Sequence, residues 1–588
     1  MRVLMDFWAL FRPFGAFSGK VYELASGALS NQHPRGHARG RRTVLRRPRC
    51  CLFSVLTDLM VAPSTRPVMQ MPGFSKRLRW VLLGSAALTA CASVGPDFKP
   101  PAAPSVARYT RADLPANTAA GGASGSQHFV AVQAVVPDWW TTFGSAKLDN
   151  LVTVALRNSP TLAAAEATLR QAQQTYEAQA GSTLYPTVNA KLGASRNQIN
   201  SANFGQRNNV QTLYNLYNAG VAVSYNLDLF GGNRRALEAL AAQADYQRFQ
   251  LSAARLALAG NVVTTAFGQA QLGEQITATE AILKAQRIQV DIARKRLELG
   301  AAAGSDVLAL QTQAEQTRAS LPPLRNKLEQ ADHLLAVLIG KAPGEAEIPR
   351  FALADFTLPA RLPLVVPSEL VRQRPDIQAS TALLHAATAQ YGVAVSELYP
   401  KINLSASLGT QALTTGQLFG AGSMIWNLAG QLAQPLFNAG LKAGANAAEA
   451  SLQAAGANYQ QTVLQALRGV ADALRQLNND AEALNAQAAA DASAQGSLAL
   501  VQQQYQLGAA SYVRLLIAQQ QEQQTRIALI AVQAARLADT AALYLAMGGG
   551  VLETPDAPAA TLPSRSAVLP PERLTNRARG TTQEGGNQ

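Results

Sequence analysis

The sequence predicts an α-plus-transmembrane-β protein, in which a long-helix unit is written twice and each copy carries two membrane-length strands. Three observations support this. Val307, Leu310, Ala314, Thr317, Leu321, Leu324, Leu328, Ala331, Leu335 and Leu338 alternate gaps of three and four. The rhythm returns 206 positions later in Val513, Leu516, Gln520, Gln523, Ile527, Ile530, Ala534, Leu537, Ala541 and Tyr544. A mean period of about 3.5 residues makes a narrow seam for a partner helix and implies a left-handed supercoil. Second, four stretches alternate apolar and polar residues with period two, as strands with one apolar face do. Third, an export signal stands ahead of both copies.

Residues 1–70 hold eleven Lys/Arg and three Asp/Glu, so they carry +8 of the formal +14. Lys76, Arg77 and Arg79 add three more, and the chain beyond residue 90 is close to neutral. The basic balance is therefore local and does not indicate a nucleic-acid partner. Met71, that basic patch and an apolar run from Trp80 to Ala90 form a signal peptide over 71–90. The run falls short of the roughly 20 residues a spanning helix needs. Leu88-Thr89-Ala90-Cys91 matches the bacterial lipoprotein box, which makes Cys91 the lipidated mature N-terminus. Ala92 follows, where an Asp would signal inner-membrane retention, so the outer membrane is expected. Cys50, Cys51 and Cys91 are the only cysteines, and cleavage at Cys91 leaves no internal disulfide. Residues 1–70 read as a dispensable extension upstream of a start at Met71.

Residues 91–136, rich in Pro, Ala, Ser and Gly, read as an extended tether. The first repeat spans 137–340. It opens with helical sequence near Asp149 and from Pro160 to Gly181. Two alternating stretches follow, Val188, Ala190, Leu192 and Ala194, then Val221, Val223, Tyr225, Leu227 and Leu229 against Ala222, Ser224, Asn226 and Asp228. Gly231-Gly232 releases a proline-free helix to Gly300, in which Ile276, Leu283, Val290 and Leu297 recur every seventh position. The seamed helix after Gly304 runs to Gly340, with a kink expected at Pro322-Pro323. A connecting segment spans 341–367, and the second repeat, 368–548, keeps the order. A helix from Pro375 precedes Ile402, Leu404, Ala406 and Leu408. The fourth stretch sets Trp426, Leu428, Leu432 and Leu436 against Asn427, Gln431 and Ala433. Asn438-Ala439-Gly440 opens the second long helix, and the tail, 549–588, reads as disordered. Leu299-Gly300-Ala301-Ala302 and Leu507-Gly508-Ala509-Ala510 mark matching helix-turn tips at Gly300 and Gly508.

Four strands of about ten residues cannot close a barrel alone, since outer-membrane barrels start at about eight strands and lipid forbids free edges. Self-association follows; two chains would supply eight strands and three chains twelve. Nothing in the sequence indicates an enzyme. It contains no phosphate-binding loop, metal cluster or nucleophile constellation, and no cofactor is expected. Of five histidines, His33 and His37 lie in the extension, His128 in the tether, and His333 and His385 stand isolated on helices. Without strands, the chain would read as a lipid-anchored coiled-coil scaffold.

The chain resembles the TolC-like outer-membrane efflux family, in its NodT-type lipoprotein branch. The matching stretches are Cys91 to Phe98, Trp139-Trp140 with Phe143, Leu156-Arg157-Asn158-Ser159-Pro160, Tyr185-Pro186 and Leu229-Phe230-Gly231-Gly232. In the second half they are Arg374-Pro375-Asp376-Ile377, Tyr399-Pro400, Gln434-Pro435-Leu436-Phe437, Gly508 and Leu545-Ala546-Met547-Gly548. The resemblance implies a homotrimer with a twelve-stranded outer-membrane barrel and a periplasmic α-helical tunnel. It implies docking to a periplasmic adaptor and an inner-membrane RND pump, with export of drugs or other amphiphiles; a TolC-type duct for ABC-driven protein secretion is the alternative. It also implies a closed periplasmic mouth. Relatives place an acidic residue shortly after the second tip, at the position that is Ile517 here. Val513, Arg514 and Ile517 are therefore the candidate gate, with Val513 also a candidate for seam packing.

Overall fold

The computed structural model describes residues 93–106, 108–112, 115–119, 125–131, 135–200 and 211–550. Cys91, the signal, the extension and the tail beyond Gly550 lie outside the described residues.

A short strand β1 (His128–Ala131) and a 3-10 turn (Trp139–Phe143) precede helices α1 (Ala146–Asn158) and α2 (Pro160–Leu184). Strands β2 (Thr187–Asn200) and β3 (Gln211–Leu227) lead to the 67-residue α3 (Gly232–Glu298) and to α4 (Gly304–Leu338). After β4 (Arg361–Leu364) and α5 (Pro367–Gln373) the order repeats. Helix α6 (Pro375–Ser396), strands β5 (Lys401–Ala412) and β6 (Met424–Ala433), then the 68-residue α7 (Ala439–Gln506) and α8 (Tyr512–Ala546) complete it. At 1.5 Å per residue, α3 and α7 each reach about 100 Å.

The helix boundaries follow local chemistry. Pro160, Pro367 and Pro375 each sit at the first turn, where a missing N–H costs nothing. The Asn438 side chain accepts from the Gly440 N–H and caps α7. Helix α4 runs unbroken through Pro322 and Pro323.

The duplication is confirmed but its spacing is corrected. Helices α4 and α8 are both 35 residues long, and Gly300/Gly508 and Gly340/Gly548, all with positive φ, lie 208 positions apart rather than 206. In α4 the expected seam holds: Val307, Leu310, Ala314, Thr317, Leu321 and Leu335 are buried. At 208 the counterparts Leu515, Ala518, Thr525, Leu529 and Leu543 are also buried, while Glu522, the counterpart of Ala314, is half-buried; Ile530, Ala534, Leu537, Ala541 and Tyr544 of the predicted second copy are buried as well. Val513, by contrast, is 59% exposed and does not pack in the seam. In α3, Ile276, Leu283 and Val290 are buried, but Leu297 faces out near the tip.

The main core gathers where α1, α3, α7 and α8 meet. Trp139 stacks on Tyr544 at 5.6 Å, and Phe143 meets Phe267 edge-on at 5.0 Å. The segment read as a plain tether is partly built into the fold. Strand β1 pairs in parallel with β4, from His128–Arg361 to Ala131–Leu364, and the Val94 N–H donates to the Phe230 carbonyl at 2.9 Å. The buried Arg235 binds Asp97 at 2.6 Å and Glu238 at 2.7 Å. His385 is likewise not isolated, since it stacks on Phe98 and its Nε2 lies 2.9 Å from Glu238 Oε1.

Candidate functional site

Two features stand apart from the packed core, the sheet at one end of the long helices and the glycine tips at the other.

The four long strands form one antiparallel sheet in the order β2-β3-β5-β6. The ladder sets Val188 opposite Val223, Val223 opposite Ala406, and Ala406 opposite Leu428. The next row runs Ala190, Val221, Leu408 and Trp426. Period two then puts all four predicted apolar series on one face. That face is bare: Leu192, Trp426 and Leu428 are each more than 70% exposed. The other face carries Asn189, Ser224, Asn226, Asn403, Ser405, Asn427 and Gln431, and Asn403 Nδ2 donates to Asn226 Oδ1 at 2.7 Å. Gly220 and Gly409 face each other there; a Cβ on either would come within 2.8 Å of a backbone carbonyl across the pair.

Three of the strands are longer than the expected ten or so residues, at 14, 17 and 12, and three predicted members fall outside the strands. Leu436 lies past the end of β6, because Pro435 has no N–H for the ladder. Leu229 and Asp228 lie past β3, where the Asp228 carboxylate instead accepts from the Arg234 N–H at the start of α3.

Both tips end in the same cap. The Gly300 and Gly508 N–H groups bond to the Leu297 and Tyr505 carbonyls. Those of Ala301 and Ala509 reach back five residues, to Arg296 and Gln504, each at 2.7 Å. This closure needs a left-handed residue, which glycine adopts without strain. Leu299 and Leu507, one residue earlier in each tip, are 82% and 85% exposed.

A residue the sequence did not single out joins the tips. The Arg296 guanidinium stacks 5.1 Å over the Tyr505 ring, and its Nη2 donates to the Gln506 carbonyl at 3.1 Å. It thus places a cation on the unpaired carbonyls at the C-terminus of α7. A groove of about 220 Å³ beside it is lined by Ile288, Ile292 and Leu515.

The Ser511 hydroxyl caps α8 by accepting from the Arg514 N–H. Tyr512 and Leu515 turn inward, while Val513, Arg514 and Ile517 are exposed together on the outer face of its first turns. Burial pushes the Tyr512 hydroxyl up to about 12, and the nearby Asp306 carboxylate of the first tip adds to the shift. Among the described residues, no three His, Cys, Asp or Glu side chains gather as a metal site would require.

Residues 151–341 and 366–549 match the outer membrane efflux protein family. The pyoverdine export outer membrane protein OpmQ of Pseudomonas putida is 30% identical over 71% of this chain and 89% of its own length. The cation efflux system protein CusC of Escherichia coli is 30% identical over 79% of this chain and 97% of its own. Among solved structures, the outer-membrane channel OprN superimposes with a TM-score of 0.70 at 26% identity, over 78% of this chain and 99% of that one. The Vibrio cholerae outer membrane protein VceC does so with a TM-score of 0.66 at 27% identity, over 71% and 100%.

Proposed function

The chain belongs to the outer membrane efflux protein family and is an outer-membrane efflux channel; on that premise we propose that three copies form the exit duct of a tripartite RND-type pump.

The sheet is the observation that carries the reading. Its apolar face suits lipid, its polar face suits a water-filled lumen, and both edges, β2 and β6, lack a partner among the described residues. Lipid does not tolerate an unpaired edge, so β2 of one copy must pair with β6 of another. Three copies give twelve strands, as the resemblance implies, and two would give eight. A lipid-anchored scaffold would have no use for a bare apolar sheet face.

The exposed leucines at both tips are suited to docking by a periplasmic adaptor, which would connect the duct to an inner-membrane RND pump. The cargo is small molecules such as drugs, solvents or other amphiphiles. OpmQ and CusC are named for pyoverdine export and cation efflux, a spread that fits a duct taking what its pump delivers. Arg514 and Ile517, with Val513 beside them, form the resting constriction. Cys91 carries the lipid.

The mass of the purified protein in detergent tests the assembly. A trimer is the expected result, and a stable dimer would replace the twelve-stranded barrel with an eight-stranded one. Mass spectrometry of the same sample should find diacylglyceryl on Cys91; an intact Ala90-Cys91 peptide would refute the lipid anchor.

A further inference from the structure

The membrane end of the chain carries a charge pattern that the duct reading leaves unused. Residues 187–227 and 401–433 contain no Asp or Glu, and their bases are Lys191, Arg196, Arg207 and Lys401. Arg207 lies outside the described residues. Strand parity puts Lys191 and Lys401 on the polar face, where Lys401 pairs with Glu397 at 2.5 Å. Among the described residues, Arg196 is the one strand residue that places a charge on the apolar face, and its side chain is exposed.

Arg196 stands just beyond the last apolar row. That row is Ala194, Tyr217 and Ala412, and β5 ends there. Strands β2 and β3 continue without it, and their outward positions turn polar: Arg196, Gln198, Asn200, Gln211 and Asn215, with Leu213 the exception. From Leu227, in the row nearest the helices, to Tyr217 is about 34 Å along β3. At a tilt near 40° this spans about 26 Å of height, which matches the apolar band of an outer-membrane barrel. A charge facing lipid is costly at mid-bilayer and almost free at the boundary, so Arg196 marks a boundary. The opposite strand ends, at Thr187, Leu227, Lys401 and Ala433, lead into the helices of the periplasmic tunnel, so this boundary is the outer one.

Two more donors share its position. Asn215 lies directly opposite Arg196 in the ladder, and Tyr217 is its diagonal neighbour, a spacing that long side chains bridge. A guanidinium, a carboxamide and a phenol thus gather at headgroup depth with no strand carboxylate to compete. Guanidinium grips phosphate oxygens in pairs. We propose, resting on the reading of this sheet as barrel wall, that Arg196 with Asn215 and Tyr217 binds the phosphate of an anionic lipid headgroup in the outer leaflet. Free phosphate offers the same oxygens, but the apolar band directly below the donors selects a phosphate that carries acyl chains.

Native mass spectrometry of the full-length protein in detergent, titrated with diphosphoryl lipid A, tests the site. Arg196→Gln should weaken lipid binding about five-fold, the effect of one base near a charged surface, and Arg196→Lys should recover part of it. Lys191→Gln removes the same charge from the polar face and should match wild type. Inorganic phosphate in excess should leave the lipid bound. Wild-type binding by Arg196→Gln overturns the site, and so does an equal loss in both Gln variants, which would mean diffuse attraction to a basic barrel end. Displacement by inorganic phosphate overturns the lipid assignment. A nitroxide on Leu192→Cys in reconstituted vesicles separates this proposal from the barrel reading. A label open to an aqueous nickel complex overturns the barrel wall and the site with it. A label open to oxygen but closed to nickel, together with unchanged binding by Arg196→Gln, overturns the site alone.

Discussion

The hairpin α3–α4 and the hairpin α7–α8 share one backbone plan and differ in what they show to solvent. Their long arms are 67 and 68 residues, their short arms both 35, and their glycine caps match at 208 positions. The buried row Val307, Thr317, Leu321 and Leu335 corresponds to Leu515, Thr525, Leu529 and Leu543. The first turns diverge. Where α4 begins Gly304-Ser305-Asp306, α8 begins Tyr512-Val513-Arg514, and Ala309 corresponds to Ile517. At equal positions one tip is small and acidic and the other bulky, apolar and basic. Caps and seam are tied to a shared geometry, whereas the outer face is free to specialise.

The largest test concerns the register of the second hairpin. Leu515→Ala should cost about 2–5 kcal/mol of unfolding free energy, as core Leu truncations do. Val513→Ala should stay within about 0.5 kcal/mol, as surface changes do. Denaturant titration of the purified protein would measure both. Equal costs would restore the spacing of 206 and put Val513 back in the seam.

The next tests concern the difference between the tips. Ile517→Asp should hydrate an apolar narrowing and raise single-channel conductance several-fold in planar bilayers. Arg514→Glu should shift ion preference toward cations. Asp306→Asn, at the matching position of the other tip, should change selectivity less. If the Asp306 variant dominates, the constriction belongs to the first hairpin.

The smallest effect tests the link between the tips. Arg296→Ala removes a stacked guanidinium and its bonds to carbonyls, and should cost on the order of 1 kcal/mol. Its counterpart at 208, the exposed Gln504, should tolerate alanine with no measurable change. A silent Arg296→Ala in thermal unfolding would mean that the tips are held by packing alone.

The faces of the sheet were legible because a period of two is unmistakable over four residues, and Val188, Val221, Leu404 and Trp426 all fell on the side assigned to them. Strand ends were less so, since Asp228 and Leu436 continue the alternation in letters while a helix cap and a proline end it in space. The repeat was recognised but slipped by two residues. In helices rich in Ala, Gln and Leu, a three-four rhythm fits several faces almost equally well. The spacing of Gly300 and Gly508 already held the answer, because a left-handed cap cannot slide. The full burial of Arg536 in α8 was not legible, since its guanidinium meets Thr118 and Gln127, which lie more than 400 positions away in sequence.

The paired prolines of α4 have a mechanical consequence. Pro322 and Pro323 supply no N–H, so the carbonyls of Arg318 and Ala319 receive no helical bond and are left to water. At the matching positions α8 has Ile530 and Ala531, and its ladder is complete. One short arm is therefore compliant under a sideways load about halfway along, while the other is a stiff rod. A tube walled by such chains would alternate yielding and rigid staves, and a push on its rim would be absorbed by every second one.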